Sequence, residues 1–218
     1  MSDQGTTSGL EELPVILPIF PLTGALLLNT GQLPLNIFEP RYLDMVRDAM
    51  EGHRVIGLIQ PLDPNDSAHE PNLYAIGCAG KICEFSELPD GHLSITLEGI
   101  CRFKVAEELN RVTKYRQIKA DYSDYQHDLV PSDMPVDRDE LQSVLKHFLE
   151  FDNEEEDWGA LANLADDNLV NSLSMICPFA PAEKQALLEA ENVSTRSALL
   201  VSLLTMMMQL GDQNITVQ

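Results

Sequence analysis

Positive charge is what this chain has least of. Against 35 acidic residues it carries 14 lysines and arginines, for a formal charge of −21. A surface so biased repels phosphate backbones, which removes double-stranded nucleic acid and anionic membrane from the expected partners. The deficit runs the whole length, with 20 acidic against 10 basic residues over 1–134 and 15 against 4 over 135–218. One stretch, Arg102 to Lys119, gathers six basic residues, but Glu107 and Glu108 interrupt it and it is too small to reverse the sign.

Paired cysteines are missing too. Cys78, Cys83, Cys101 and Cys177 form no C-x-x-C pair and no zinc spacing with histidine, so they are expected as reduced core residues. The five histidines share no metal spacing, and His147, beside Phe148, is expected at a helix surface or boundary. The opening "MSDQGTTSG" has neither a basic region nor an apolar run, which argues against a signal peptide and for a disordered tip over 1–12. The most apolar stretch, "ALLVSLLTMMMQL" (Ala198–Leu210), falls short of the roughly 18 residues that a membrane span needs. The expected location is cytoplasmic.

Catalytic and metal constellations are equally scarce. Gly52 and Gly57 have P-loop spacing, but Leu58-Ile59 stand where Lys-Ser/Thr is required. The loop "LDPNDSAHE" collects Asp63, Asp66, His69 and Glu70, yet Ser67 and Ala68 break the calcium-loop pattern and a solvated loop is expected. The run Glu154–Asp157 is read the same way, as a solvated interhelical loop. No cofactor, no metal and no enzymatic activity are expected.

What is present divides by period. "HLSITLE" alternates with Leu93, Ile95 and Leu97 on one face; "ICRFKV" places Cys101, Phe103 and Val105 inward with Arg102 and Lys104 outward; "QIKADY" turns Ile118, Ala120 and Tyr122 inward. Pro89-Asp90-Gly91 suits a tight hairpin connection between two such runs. Short strands with turns between them predict a closed or nearly closed antiparallel sheet over residues 13–125. After a polar linker, 126–136, the period becomes helical over 137–211. Asp137 and Glu140 form a capping-box-like start, and Leu141, Val144, Leu145, Phe148 and Leu149 share one stripe. A second helix runs through Leu169, Val170, Leu173 and Ile176 to a stop at Pro178, and Pro181 opens a third. A fourth is expected from an N-cap at Ser194 to a stop at Gly211. The fold class is α+β, a β-rich half followed by a helical bundle.

The segment "NIFEPRY" is built for a helix start. Pro40 suits the first helical position, Glu39 the positive end of the helix dipole, and Arg41 can pair with a neighbouring acid. Tyr42, Val46 and Ala49 then face inward, Gly52 ends the helix, and Phe38 is expected as a buried core aromatic. Together with "LPVILPIFPL", "VIGLIQP", "YAIGCAGKICEFSELPDGHLSITLEGICRFKV" and "EKQALLE", this motif resembles the Lon protease N-terminal domain family over about Leu13 to Leu210. The resemblance implies a PUA-like β pseudo-barrel followed by an α-helical bundle. In Lon the domain selects substrates and helps to assemble the hexamer, and in cereblon a similar domain is a docking platform. It implies no catalytic residue, and Phe38, Glu39, Pro40, Arg41 and Tyr42 are its structural motif.

Two functions follow as expectations. The first is a non-catalytic module binding exposed or unfolded polypeptide segments, by strand addition at an open sheet edge or in a barrel–bundle groove. The second is a scaffold docking one folded partner, such as a protease component or a second copy of itself. Core packing is the first reading of Met206, Met207 and Met208; they are also the candidate partner-binding residues, because methionine surfaces adapt to many ligands.

Overall fold

The chain forms six strands, β1 (Ile16–Pro21), β2 (Gln32–Ile37), β3 (Val55–Ile59), β4 (Ile76–Glu87), β5 (Leu93–Glu108) and β6 (Gln117–Asp121), and buried apolar side chains recur at every second position at the start of β5 and in β6. The computed structural model of the chain describes residues 13–66, 68–110, 112–152 and 164–215. The N-terminal tip 1–12, Ser67 and the acidic run 154–157 lie outside them. By internal contacts the chain divides into two compact units after Pro131.

In the first unit the strand order is β2-β5-β4-β3-β1-β6, and β5 also pairs with β6. That second pairing makes a closed ring of β5, β4, β3, β1 and β6, with β2 attached outside it along β5. All these pairings are antiparallel except β1 with β3, which is parallel. The expected all-antiparallel sheet is corrected there: alternation reports which face a side chain occupies and carries no strand direction. The crossover from β1 to β3 contains β2 and helix α1 (Pro40–Glu51). Leu17, Ile19, Cys101, Phe103, Ile118 and Ala120 are buried in one cluster of the first unit. Phe20 of β1 stacks edge-on against Tyr42 of α1 with ring centroids 4.6 Å apart. Every residue of β3 is buried, which its unbroken apolar run requires.

The β4–β5 connection turns at Pro89-Asp90-Gly91, where Gly91 has φ +82 and Asp90 Oδ1 accepts the His92 amide at 3.1 Å. Gly99 is a glycine for space. A Cβ there would lie 1.9 Å from the Leu28 carbonyl oxygen, so only glycine lets the 22–31 loop pass so close to β5.

Arg102 corrects the reading of "ICRFKV". It was expected outward and is 1% exposed. The polar stretch read as the start of a linker forms a 3-10 helix, Ser123–Leu129, which packs on β5 and covers Arg102. Asp128 meets it there: the carboxylate accepts the Arg102 backbone amide at 3.0 Å, Nε at 2.9 Å and Nη2 at 2.9 Å. The guanidinium also stacks over Tyr125, 4.6 Å from the ring centre, and lies 2.9 Å from His127 Nε2. Asn29 Nδ2 donates to the Asp128 carbonyl at 3.1 Å. A buried charge this well surrounded offsets its own desolvation.

The second unit contains α2 (Arg138–Asp152), α3 (Asp166–Ile176), α4 (Pro181–Glu189) and α5 (Val193–Ile215). Glu140 N donates to Asp137 Oδ1 at 2.9 Å, the cap expected for α2. Leu141, Leu145 and Phe148 are buried and Val144 is half-buried; the side chain of Leu149 lies outside those described. Arg138 joins α2 to the start of α3 through Asp166 and the Leu164 carbonyl. Two helix ends differ from expectation. Asn192, not Ser194, caps α5, its Oδ1 accepting the Thr195 amide at 3.0 Å. Gly211 lies inside α5, because a lone glycine costs only about 1 kcal/mol in a helix and no proline follows to stop it.

Candidate functional site

The opening motif folds largely as its residue types dictate. Pro40 takes the first helical position of α1, Glu39 is the N-cap residue, and Gly52 is the C-cap. Arg41 lies 2.9 Å from Glu39 Oε2, stacks over the Tyr42 ring at 4.5 Å and donates Nη1 to the His69 carbonyl at 2.6 Å. This arginine therefore fastens the 62–70 loop to the start of α1. Tyr42, Met45, Val46 and Ala49 are buried. In the loop itself, Asp63 accepts the Asn65 amide and Asp66 the Ala68 amide, so both carboxylates serve the local backbone.

Phe38 is the exception. Expected in the core, it is 62% exposed, its ring 6.0 Å from that of His92. The reason is register. Ile37, the last residue of β2, pairs with Leu93 and is buried like it, so Phe38, which follows, is turned to the opposite face.

Phe38 sits where β2, β5 and β4 extend together past the end of β3. The β3–β4 ladder begins at Val55↔Lys81, and Ile82 N donates to the Arg54 carbonyl at 2.8 Å. Beyond that point Cys83, Glu84, Phe85, Ser86 and Glu87 are all exposed, Phe85 at 43%. Cys83 thus departs from the expectation of four core thiols; Cys78, Cys101 and Cys177 are buried. Burial raises the thiol pKa values of those three, to about 12 for Cys101 and Cys177.

The register determines what this segment presents. Leu88 N donates to the His92 carbonyl at 2.9 Å, and Glu84 to Glu87 pair without a bulge with Thr96 to Leu93. Hydrogen-bonded and non-hydrogen-bonded pairs alternate in an antiparallel ladder. Ser86 and Glu84 therefore bond to β5, while the backbone groups of Phe85 and Glu87 point away from it. On β2 the outward positions are Gln32, Pro34 and Asn36, and the central one has no N–H to offer.

Met206 is 55% exposed and Met207 and Met208 are half-buried on α5. They lie in the second unit, apart in sequence from the Phe38–Tyr42 motif of the first.

The sequence model of the ATP-dependent protease La (LON) substrate-binding domain matches residues 16–206. The chain belongs to the Lon substrate-binding domain family. It is similar to the Lon protease of Cytophaga hutchinsonii, 26% identical over 202 residues, covering 89% of this chain and 24% of that protein. With the Lon protease of Flavobacterium johnsoniae it is 30% identical over 98 residues, 44% of this chain and 12% of the other. The chain thus spans a quarter or less of the length of these curated relatives. Among solved structures it resembles the crystal structure of a Lon N-terminal domain protein from Xanthomonas campestris, with a TM-score of 0.62 and 25% identity, covering 86% of this chain and 97% of that one. The N-terminal domain of a Mycobacterium avium complex Lon protease shares the fold at a TM-score of 0.64 and 16% identity.

Within this Lon-domain fold, sequence reasoning missed the Arg102–Asp128 pair and the β4 edge. For the pair, the only sequence signal is an aspartate in a polar stretch, and nothing local marks it as buried. For the edge, the signal was length: "KICEFSEL" exceeds what a five-residue β3 can cover.

Proposed function

We propose that this chain is a non-catalytic recognition module for polypeptides, binding exposed or unfolded segments of other proteins. The observation that carries the reading is the match to the Lon substrate-binding domain over residues 16–206. The matched model is that of a substrate-binding domain, which supports the non-catalytic part. So does the stretch after Gly57, where strand β3 continues with Leu58-Ile59 in place of a phosphate-binding lysine. The closed ring of five strands supports reading the first unit as a PUA-like pseudo-barrel.

Charge then sets the class of client. With a net charge of −21, apolar segments flanked by lysine and arginine are favoured over acidic ones. Nucleic acid is disfavoured, and basic side chains of the 102–119 stretch support this, because Arg102, Lys114 and Arg116 are held by Asp128, Asp44 and Glu108. A cytoplasmic setting belongs to the same reading, in keeping with the free thiols.

A single domain of this size should bind such segments at micromolar strength, about −8 kcal/mol. The test is a peptide array covering an unfolded model protein, probed at low and high salt. Bright spots are expected for apolar, basic peptides and should fade as salt rises. Blank arrays, or spots confined to acidic peptides, would overturn the reading in favour of a scaffold that docks one folded partner.

A further inference from the structure

We infer that the β4 edge from Cys83 to Glu87 is the strand-addition site of this domain, and that it takes an extended segment of the pattern basic–any–apolar–basic. This rests on the recognition reading above and assigns it a place and a sequence preference.

The backbone supplies the first argument. Past Lys81, β4 has β5 on one side and, among the described residues, no paired strand on the other, and Phe85 and Glu87 direct their N–H and C=O groups to that open side. An added strand completes the ladder there. The β2 edge is a poorer template, since Pro34 removes the central outward donor.

Side chains give the pattern. Leu35, Ile95 and Phe85 lie opposite one another across β2, β5 and β4, forming an apolar row that ends at the half-exposed Phe85 ring. The incoming residue opposite Phe85 extends that row, so it is apolar. Two positions along on the same face, Glu87 follows, 3.6 Å from Arg47 and still 61% exposed. Glu84 is on the opposite face, its carboxylate accepting the Thr96 hydroxyl at 2.7 Å. Residues opposite each of these acids are basic. Antiparallel addition reads them in chain order as basic, any, apolar, basic.

A second copy fits the edge badly. It would bring its own Glu84 and Glu87 to the same seam, four carboxylates together, and the register centred on Ser86 would set each Phe85 beside a Glu87. Charges and the bulge beside Cys83 also suit an edge that must avoid pairing with itself. A basic segment meets no such obstacle.

The test uses a fluorescently labelled octapeptide, Ser-Thr-Lys-Thr-Leu-Lys-Thr-Ser, and its counterpart with both lysines replaced by glutamate. Fluorescence anisotropy with the full chain should show the lysine peptide binding at least about tenfold more tightly. Phe85→Ala should weaken it by about tenfold. The double variant Glu84→Lys/Glu87→Lys should reverse the preference, a gain that misfolding cannot produce, and matching thermal melts check the fold. An N-methyl group on the leucine amide should abolish binding. A reduced, amidomethylated ribonuclease A, which is a basic unfolded chain, separates the two levels of inference. If wild type and both variants bind it equally and the charge swap does nothing, the edge assignment is overturned while recognition stands. If wild type binds neither probe, both fall.

Discussion

Single residues behave here according to whether the fold covers them, and two substitutions expose the difference. Phe38 is a large aromatic that is 62% exposed, whereas Asp128 is a small acid enclosed with Arg102. Phe38→Ala should leave stability within about 0.5 kcal/mol of wild type. Asp128→Ala strips the carboxylate from a guanidinium that is 1% exposed, and should cost about 3–5 kcal/mol. Urea melts of the two variants check both, and a Phe38→Ala loss larger than the Asp128→Ala loss would reverse the assignment of core and surface. Alternation in the sequence places Leu93, Ile95 and Leu97 correctly, because each lies on a strand with one buried face. It misplaces Arg102 for a definite reason: the 3-10 helix covers the face that alternation leaves to water.

Elements were legible where local chemistry alone decides them. Pro40 opening α1, Asp137 capping α2, Pro181 opening α4 and Gly91 in the hairpin each follow from a dihedral or a hydrogen bond within a few residues. Strand direction, ring closure and the span of β4 past β3 depend on partners many residues away, and periodicity holds no record of them. The start of α5 shows the limit on a small scale, since both Asn192 and Ser194 are good caps and packing chooses between them. Asn192→Ala should therefore lower stability by about 1 kcal/mol, with Ser194→Ala close to neutral. Thermal melts of the pair distinguish them, and equal losses would contradict the cap at Asn192.

At the scale of the whole molecule, the thiols report on the folded state. Cys83 alone of the four is exposed, so a thiol reagent should modify one site in the native chain and four after denaturation. More than one fast site would show the core open near Cys78, Cys101 or Cys177. Their raised pKa values also fix an alkaline limit. Well below about pH 8.5 these three thiols are neutral whether folded or unfolded. Above that the unfolded chain loses these protons, while the folded one keeps those of Cys101 and Cys177 up to about pH 12. The unfolded state binds fewer protons across that window, so stability falls as pH rises through it. At the acid end Glu108 acts oppositely. The hydrogen bond from Arg116 lowers its pKa, and the stability it contributes at neutral pH is lost as pH falls through that lowered value.

Ring closure also has a consequence for how the chain is made. Leu17 of β1 pairs with Ile118 of β6, a separation of 101 positions. A ribosome adding about 5–20 residues per second takes about 5–20 s to travel between them. Once β3 has been made, β1 has it on one side and nothing on the other, with Leu17 and Ile19 awaiting the rest of their core. A fold with such high contact order closes late. The growing chain thus spends seconds as the kind of exposed, half-paired polypeptide that its finished form is proposed to bind.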